Sequence, residues 1–211
     1  MIEKKIISIK KEESKAKEFI MKTLGKGKIS GVKIEKTPLG EKIIILTAKP
    51  GAVIGKRGET ISDLTEALKK EFKMQNPRIE ISEIENPNFD AQYVADQIAK
   101  SLEMFGTSSF KIIAYKQLER IKNAGALGCE IILSGKLPGE KARSWRFAFG
   151  YLKKTGESAN LLSRAKTVAQ TKPGTTGIKV AILPKGVKIM DKIEIEEKEE
   201  KETNQNGNIE I

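Results

Sequence analysis

The sequence lacks several side chains on which many enzymes and extracellular domains depend. Its 211 residues include no histidine and one cysteine, Cys129. The chain can therefore form neither a histidine-dependent catalytic triad, nor a zinc finger, nor a structural disulfide. These absences indicate a protein of a reducing compartment.

Long hydrophobic segments are also missing from the sequence. No apolar run approaches the roughly 18 residues that span a bilayer, and the N-terminal residues lack the apolar segment of a signal peptide. We therefore expect a cytoplasmic protein with no membrane partner.

Positive charge is what the sequence has in excess. Its formal net charge is +11 and its isoelectric point is near 9.5. The segment 191–211 carries eight acidic and three basic side chains, a net charge of −5, so residues 1–190 carry +16. Such a basic body favours a polyanionic partner, RNA or DNA rather than a membrane surface. The acidic segment has no aromatic residue and is predicted to be disordered.

A basic loop flanked by glycines lies between a predicted strand and a predicted helix. The apolar segment 43–48 predicts a buried strand, and apolar residues recur at helical spacing over 61–72. Between them stands Gly55-Lys56-Arg57-Gly58. Glycines let a sugar-phosphate backbone approach closely, and the free N–H groups at the start of the following helix attract phosphate. Lys56 and Arg57 add full positive charges.

The predicted elements around this loop follow a defined order. First comes a helix over about 13–24, and then strands near 32–36 and 43–48. The loop and its helix follow, and a half-buried strand over 78–84 comes last. With the Gly55-Lys56-Arg57-Gly58 motif, this order resembles a type II KH domain, whose GxxG loop holds about four nucleotides. The alternative is a solvated glycine-rich turn, with Lys56 and Arg57 merely exposed.

The second half of the chain predicts two helices followed by a sheet. A turn-rich break at 86–90 marks the domain boundary, and helical periodicity resumes over 91–105 and 110–124. Three or four strands follow, predicted at 129–134, 143–151, 164–171 and 178–183. The sequence therefore indicates an α+β protein of two domains, the second with two helices packed on a small mixed or antiparallel sheet.

Aromatic residues alternate along the strand predicted at 143–151. One face carries Trp145, Phe147, Phe149 and Tyr151. This face is either core or a platform on which RNA bases stack, at about 1–3 kcal/mol per base. We favour the core, because the two preceding helices must bury their apolar faces against the sheet. The expected phosphate contacts are then the basic residues Arg143, Arg146, Lys153, Lys154, Arg164 and Lys166.

A basic face covers much of the helix predicted at 110–124. It carries Lys111, Lys116, Arg120 and Lys122. Such a face is usually only solvated, and the alternative is contact with RNA.

The second half also carries a family resemblance. The residues concerned are the run 125–137 (GALGCEIILSGKL), Ala142-Arg143, Phe147, Gly150-Tyr151, Thr155-Gly156, Lys172-Pro173-Gly174 and 177–180 (GIKV). They resemble the C-terminal domain of the universal third protein of the small ribosomal subunit, in its archaeal and eukaryotic form. The KH loop and this C-terminal signature occur in the order expected of the family, and together the similarity covers about residues 1–188. It implies a KH domain over 1–87, a C-terminal α+β ribosomal domain over 88–188 and an acidic tail over 189–211.

The resemblance implies a structural protein of the ribosome, with no catalytic activity, cofactor or metal. Members of this family lie on the solvent side of the small-subunit head and line the channel where messenger RNA enters. The implied partners are small-subunit ribosomal RNA, messenger RNA and neighbouring ribosomal proteins of the head. The matching motifs imply which residues contact RNA. In the KH domain they are Gly55, Lys56, Arg57 and Gly58, and in the second domain Arg143, Arg146, Lys153 and Lys154 are expected to bind ribosomal RNA.

The helix predicted at 110–124 departs from the family pattern. In bacterial members, basic residues on the equivalent helix help to open messenger RNA duplexes at the channel. Here Lys111 keeps one basic position, and Lys116 is a partial substitute. Ile112 and Tyr115 fall where charges are expected. The resemblance therefore implies the location at the channel and leaves open whether the duplex-opening role is retained.

An enzyme and a free RNA regulator are the alternative interpretations. The segment 51–58 is close to a phosphate-binding P-loop, but the spacing fails and no hydroxyl residue follows Lys56. As metal ligands of a nuclease, Asp63, Asp90 and Asp96 are poor candidates, because capping or solvation of a polar helix face explains them better. A free-standing KH regulator of single-stranded RNA would share the loop but does not explain the second domain.

Overall fold

Two sheets, each with its own helices, follow one another along the chain. The computed structural model describes residues 2–37, 40–72, 74 and 76–187, so the predicted acidic tail lies outside the described residues. The first sheet has three strands and the second has four. No helix in the described part of the chain is long and apolar enough to cross a membrane. This arrangement confirms the predicted α+β fold.

The first sheet is mixed and belongs to the N-terminal part of the chain. Its strands β1 (Gly31–Thr37), β2 (Gly40–Thr47) and β3 (Arg78–Glu83) lie in that order. β1 and β2 are antiparallel, whereas β2 and β3 are parallel. Parallel strands need a crossover connection. Here it consists of the short helix α2 (Pro50–Ile54), the GxxG loop and helix α3 (Glu59–Phe72).

The first helix, α1, is longer than the sequence predicted. It spans Ile2–Leu24, whereas helical periodicity indicated a start near residue 13. Its first buried residue is Ala16, and Ile2, Ile6 and Ile7 are exposed. Ile2, Ile6 and Ile9 recur at helical spacing in line with Ala16 and Ile20, but none of the three is buried, and the sequence prediction missed this part of the helix. The many lysine and glutamate residues of these early turns have good helix propensity, which extends the helix without a core contact.

The second sheet is antiparallel throughout, with the order β5-β4-β7-β6. Its strands are β4 (Gly128–Gly135), β5 (Arg143–Gly150), β6 (Ser163–Thr171) and β7 (Gly174–Leu183). Helices α4 (Ala91–Phe105) and α5 (Phe110–Asn123) cover one face and share its core. This confirms the predicted two helices on a small sheet. The domain division at residue 87 stays a prediction.

The aromatic strand β5 is divided between core and surface. Phe147 is buried and Phe149 packs against the core, as expected. Trp145 is 37% exposed, and Tyr151, just beyond the strand, is 53% exposed. β5 is an edge strand, so the helices cover the middle of its inner face and leave the ends open. The core prediction is therefore wrong for Trp145 and Tyr151.

A nearly buried carboxylate on α4 joins the two parts of the chain. Asp96 is 4% exposed, so the expectation that it is solvated on a polar helix face is wrong. Its Oδ2 accepts a hydrogen bond from the backbone N–H of Gly27, at 2.9 Å. Its Oδ1 accepts from the Thr167 hydroxyl at 2.7 Å and from the Gln92 amide at 3.1 Å. The loop after α1 covers this carboxylate, which sequence periodicity does not reveal.

A second carboxylate strengthens the same joint. Asp90 caps α4 by accepting from the backbone N–H groups at its start, as predicted, and it also accepts from the Ser30 hydroxyl. The Lys26 ammonium donates to the carbonyl oxygen of Val168 at 2.8 Å. The loop between α1 and β1 is thereby attached to both α4 and β6.

Replacing Asp96 with alanine should destabilise the protein, because three donors at the joint lose their acceptor. We expect the free energy of unfolding to fall by about 2–3 kcal/mol. Urea denaturation measures this difference. Asp63→Ala, at an exposed position of α3, is the matched control and should change stability by less than about 0.5 kcal/mol. Equal small losses in both variants would contradict a role for Asp96 in the joint.

Candidate nucleic-acid interface

The GxxG loop is a tight turn that requires glycine at both ends. Gly55 has a φ of 75°, and a Cβ there would lie 2.1 Å from the Thr60 hydroxyl oxygen. Gly58 has a φ of 79°, although the space around it is open. Arg57 also adopts the left-handed region, with a φ of 55°. Non-glycine residues in this region are uncommon and cluster at functional sites.

The loop presents both side-chain charge and a helix start to the solvent. Lys56 and Arg57 are exposed, and α3 begins directly afterwards at Glu59. The first N–H groups of a helix have no intrahelical acceptor and carry partial positive charge. The structure therefore brings together the four loop residues as the sequence predicted, in a geometry that suits a phosphate backbone.

A basic groove of about 640 Å³ lies between the N-terminal part of the chain and helices α4 and α5. Its cations are Lys26, Lys28, Lys49, Lys100, Lys116 and Arg120. Sequence reasoning missed the first four, which lie outside the motifs and meet the α5 residues only in the folded chain. The sequence did carry one local signal for these groove residues, because Lys26 and Lys28 are closely spaced and lie beside glycines.

The basic residues of α5 do not form one surface. Lys116 lines the groove, whereas the Lys111 ammonium lies 4.7 Å from the centre of the Trp145 ring. Five residues of α-helix correspond to a rotation of about 140°, so these two side chains leave the helix on different sides. The single basic face expected from the sequence is therefore wrong.

Other predicted cations gather on the face of the second sheet that points away from the helices. Strand pairing aligns Arg146, Ile132, Lys179 and Lys166 in one row across the four strands. The next row contains Glu130 and ends at Arg164. Lys154 reaches the same face from the segment after β5. We call these cations, Lys154, Arg146, Arg164, Lys166 and Lys179, the basic sheet face.

Lys179 was missing from the sequence-based site. It lies on β7 between the buried Ile178 and Val180, so the alternation of the predicted strand could have placed it outward. Lys166 pairs directly with Lys179 across β6 and β7, and like charges in this position destabilise a sheet. Neither lysine has an acidic partner among the described residues. A bound polyanion would remove this repulsion.

Two predicted anchors lie apart from the basic sheet face. Arg143 is two residues from Trp145 on β5, so it lies on the helix side of the sheet, opposite Arg146. Lys153 is half-buried in the segment after β5. The structure therefore gathers Arg146, Lys154, Arg164 and Lys166, and it separates Arg143 from them.

Glu130 is the acidic residue at the centre of the basic sheet face. Its side chain is 8% exposed and pairs with Arg146 Nε and, at 2.9 Å, with Lys154 Nζ. Burial raises the pKa of the Glu130 carboxyl, but the hydrogen bond from Lys154 and the charge of Arg146 outweigh it, so the pKa lies below its ordinary value. The carboxylate is therefore charged at neutral pH and holds both cations.

The other candidate reactive groups are occupied or protonated. Burial, together with the neighbouring Glu130 charge, raises the pKa of the Cys129 thiol to about 12, so this thiol is not a nucleophile at neutral pH. Asp90 and Asp96 accept hydrogen bonds from the protein itself. In the described ranges, no group of three or more acidic, cysteine or histidine side chains could hold a metal ion.

Comparisons with known proteins match both halves of the chain. Residues 15–89 match a KH domain family, and residues 98–182 match the family of ribosomal protein S3, C-terminal domain. The chain is 42% identical to small ribosomal subunit protein uS3 of Methanocaldococcus jannaschii, over 93% of this chain and 94% of that protein. It is 36% identical to the uS3 protein of Methanoculleus marisnigri, over 95% and 85% of the two chains. It is 37% identical to that of Methanococcus maripaludis, over 92% of each.

The ion pairs of Glu130 predict how stability depends on pH. A carboxyl group whose pKa is lowered by folding stabilises the native state above its unfolded pKa, and this contribution is lost as pH falls through the folded pKa. Glu130→Gln should therefore be less stable than the wild type at pH 7. The difference should shrink as pH falls below the ordinary value of 4.5.

Urea denaturation at pH 7 and at steps down to about pH 3 measures this difference. Glu119→Gln, at an exposed position of α5, is the matched control and should follow the wild type at every pH. A deficit of Glu130→Gln that stays constant with pH would mean that packing, and not charge, explains it.

Proposed function

The chain belongs to the uS3 family of small ribosomal subunit proteins, and from this premise we propose that it is a structural protein of the subunit head. There it binds small-subunit ribosomal RNA, contacts neighbouring ribosomal proteins and lines the channel where messenger RNA enters. It acts on the cytoplasmic ribosome, by binding and without catalysis. The observation that carries this proposal is the basic sheet face, where Lys166 and Lys179 are paired without an acidic partner in the described chain.

The basic sheet face is the anchor for ribosomal RNA. Arg146, Arg164, Lys166 and Lys179 lie on hydrogen-bonded strands, and Lys154 follows β5. Glu130 fixes the positions of Arg146 and Lys154. Fixed cations lose little side-chain entropy when phosphates bind, and each neutralised phosphate releases counterions. Lys153 and Arg143 lie outside the basic sheet face, and in this proposal they contact ribosomal RNA separately from it.

The GxxG loop and the basic groove serve the messenger RNA. Lys49 lines the groove and directly precedes α2, whose five residues lead to Gly55. Such a helix is only about 7.5 Å long, so one RNA strand can contact both the groove and the loop. Contacts to phosphates carry no sequence information, which suits a channel that every message must pass.

The geometry of α5 supports the channel location without a duplex-opening role. Lys116 and Arg120 line the groove, but Lys111 is turned towards Trp145. Ile112 and Tyr115 are exposed where charges were expected. The alternative of a free KH regulator accounts for the loop but leaves the basic sheet face without a role.

Sedimentation of a cell extract tests the ribosomal function directly. A tagged copy of the chain should migrate with small subunits in a sucrose gradient, and recovery only at the top would overturn the proposal. The double variant Lys166→Glu with Lys179→Glu should shift towards the top, because it places two negative charges on the anchor. The matched control reverses Lys4 and Lys5, on turns of α1 that bury no residue, and should still migrate with subunits.

Charge reversal in the GxxG loop tests the contact with phosphates. Lys56→Asp with Arg57→Asp should weaken binding to unstructured RNA oligonucleotides of any sequence. It should also flatten the slope of log K against log salt by about 1.4, as expected for two lost phosphate contacts on a single strand.

Fluorescence anisotropy of labelled RNA between about 50 and 200 mM salt measures both effects. Lys4→Asp with Lys5→Asp, on the uncovered turns of α1, carries the same charge change and should leave the slope nearly intact. An unchanged slope in the loop variant would show that the loop does not hold phosphates.

A further inference from the structure

We propose that an aromatic patch at the open edge of the second sheet is a stacking site for bases of single-stranded RNA. The patch consists of Trp145 on β5 with Lys111 and Tyr115 on α5, above the rings of Phe110 and Phe147. The inference rests on the proposed RNA-binding function. It adds a contact to bases where the other surfaces offer contacts to phosphates.

The rings of the patch form a continuous cluster. The Trp145 ring lies 5.5 Å from that of Phe110, which lies 6.3 Å from that of Phe147. The Tyr115 ring meets Phe147 edge-on at 5.1 Å. Phe110 and Phe147 are buried in the core, so they support the two outer rings from below. The outer rings are therefore held in place before any ligand arrives.

The outer rings are open to solvent although they are large and apolar. Tyr115 is 60% exposed and Trp145 is 37% exposed. A preordered aromatic surface suits nucleobases, because every base has a π-face and stacking tolerates any sequence. An apolar protein surface could also cover such rings. The charge around the rings decides between RNA and a protein surface as the ligand.

The surroundings of the patch are basic. The Lys111 ammonium lies over the Trp145 ring, and Lys111 and Tyr115 are one helical turn apart on the same side of α5. Strand register places the β4–β5 hairpin beside Trp145, and this hairpin carries Lys136, Lys141 and Arg143 against Glu140. On α5, the acidic residue Glu119 lies one turn beyond Tyr115. The positive charge of these surroundings favours RNA over an apolar protein surface as the ligand of the patch.

The tryptophan of the patch makes the proposal directly testable. Trp145 is the only tryptophan in the chain, so its fluorescence reports on this surface alone. The full chain is titrated with 12-nucleotide oligoadenylate and oligouridylate, while anisotropy of labelled RNA measures binding independently. We expect quenching of Trp145 that saturates at the same RNA concentration as the anisotropy.

Substitutions of Tyr115 separate stacking from apolar contact. Tyr115→Leu keeps an apolar side chain but removes the ring, and should weaken RNA binding about fivefold or more. Tyr115→Phe keeps the ring and should bind as the wild type does. Tyr151→Leu is the matched control, because Tyr151 is 53% exposed and lies outside the ring cluster, and it should bind normally. Thermal unfolding of each variant confirms that it is folded.

Three results would overturn the proposal in distinguishable ways. RNA binding seen by anisotropy with no change in Trp145 fluorescence would exclude stacking at the patch and leave the proposed RNA-binding function intact. Absence of any RNA binding would overturn both. A Trp145 response to purified ribosomal proteins of the head, with none to RNA, would assign the patch to a protein contact.

Discussion

The hydrogen bonds of Asp96 and Asp90 hold the loop after α1 against the second half of the chain, and the basic groove depends on this joint. Asp96 accepts from the backbone of Gly27 on one side and from Thr167 on the other. Of the bonds to Asp96, the one from Gly27 crosses between the two halves, as does the bond from Ser30 to Asp90. Parting the halves at this point would lose both bonds, each worth roughly 1.5–3 kcal/mol because its acceptor is charged. The groove exists only while they stay together, because its walls come from both halves.

The excess of positive charge is divided among separate surfaces rather than neutralised. The GxxG loop, the groove and the basic sheet face each carry cations, and Glu130 is the one acid that lies within the rows of the basic sheet face. Holding Lys166 beside Lys179 costs stability in the free protein. A polyanion offsets that repulsion, which explains why a fold would retain it. The aromatic patch differs, since it combines one lysine with rings that the core supports.

Much of the fold and part of the candidate site could be predicted from sequence. The strands and most helix ends followed from periodicity: the periodicity over 91–105 ends where Gly106, with a φ of 77°, terminates α4. The GxxG loop was predictable because its signal is local. The early turns of α1, the burial of Asp96 and the outward position of Lys179 were missed. The burial of Asp96 depends on residues distant in sequence, whereas the alternation along β7 was a local signal for Lys179 and the spacing of Ile2, Ile6 and Ile9 was one for α1.

The sequence by itself determined the glycine-dependent loop, the element types and the total charge, because each of these depends on neighbouring residues or on composition. Only the tertiary structure decided which cations share a surface. Strand register placed Lys166 beside Lys179, and helix rotation turned Lys116 into the groove while Lys111 met Trp145. The spacing of Lys111 and Lys116 already places them on different sides of α5. Which element each side meets depends on pairings between segments far apart along the chain, and a local pattern does not specify those pairings.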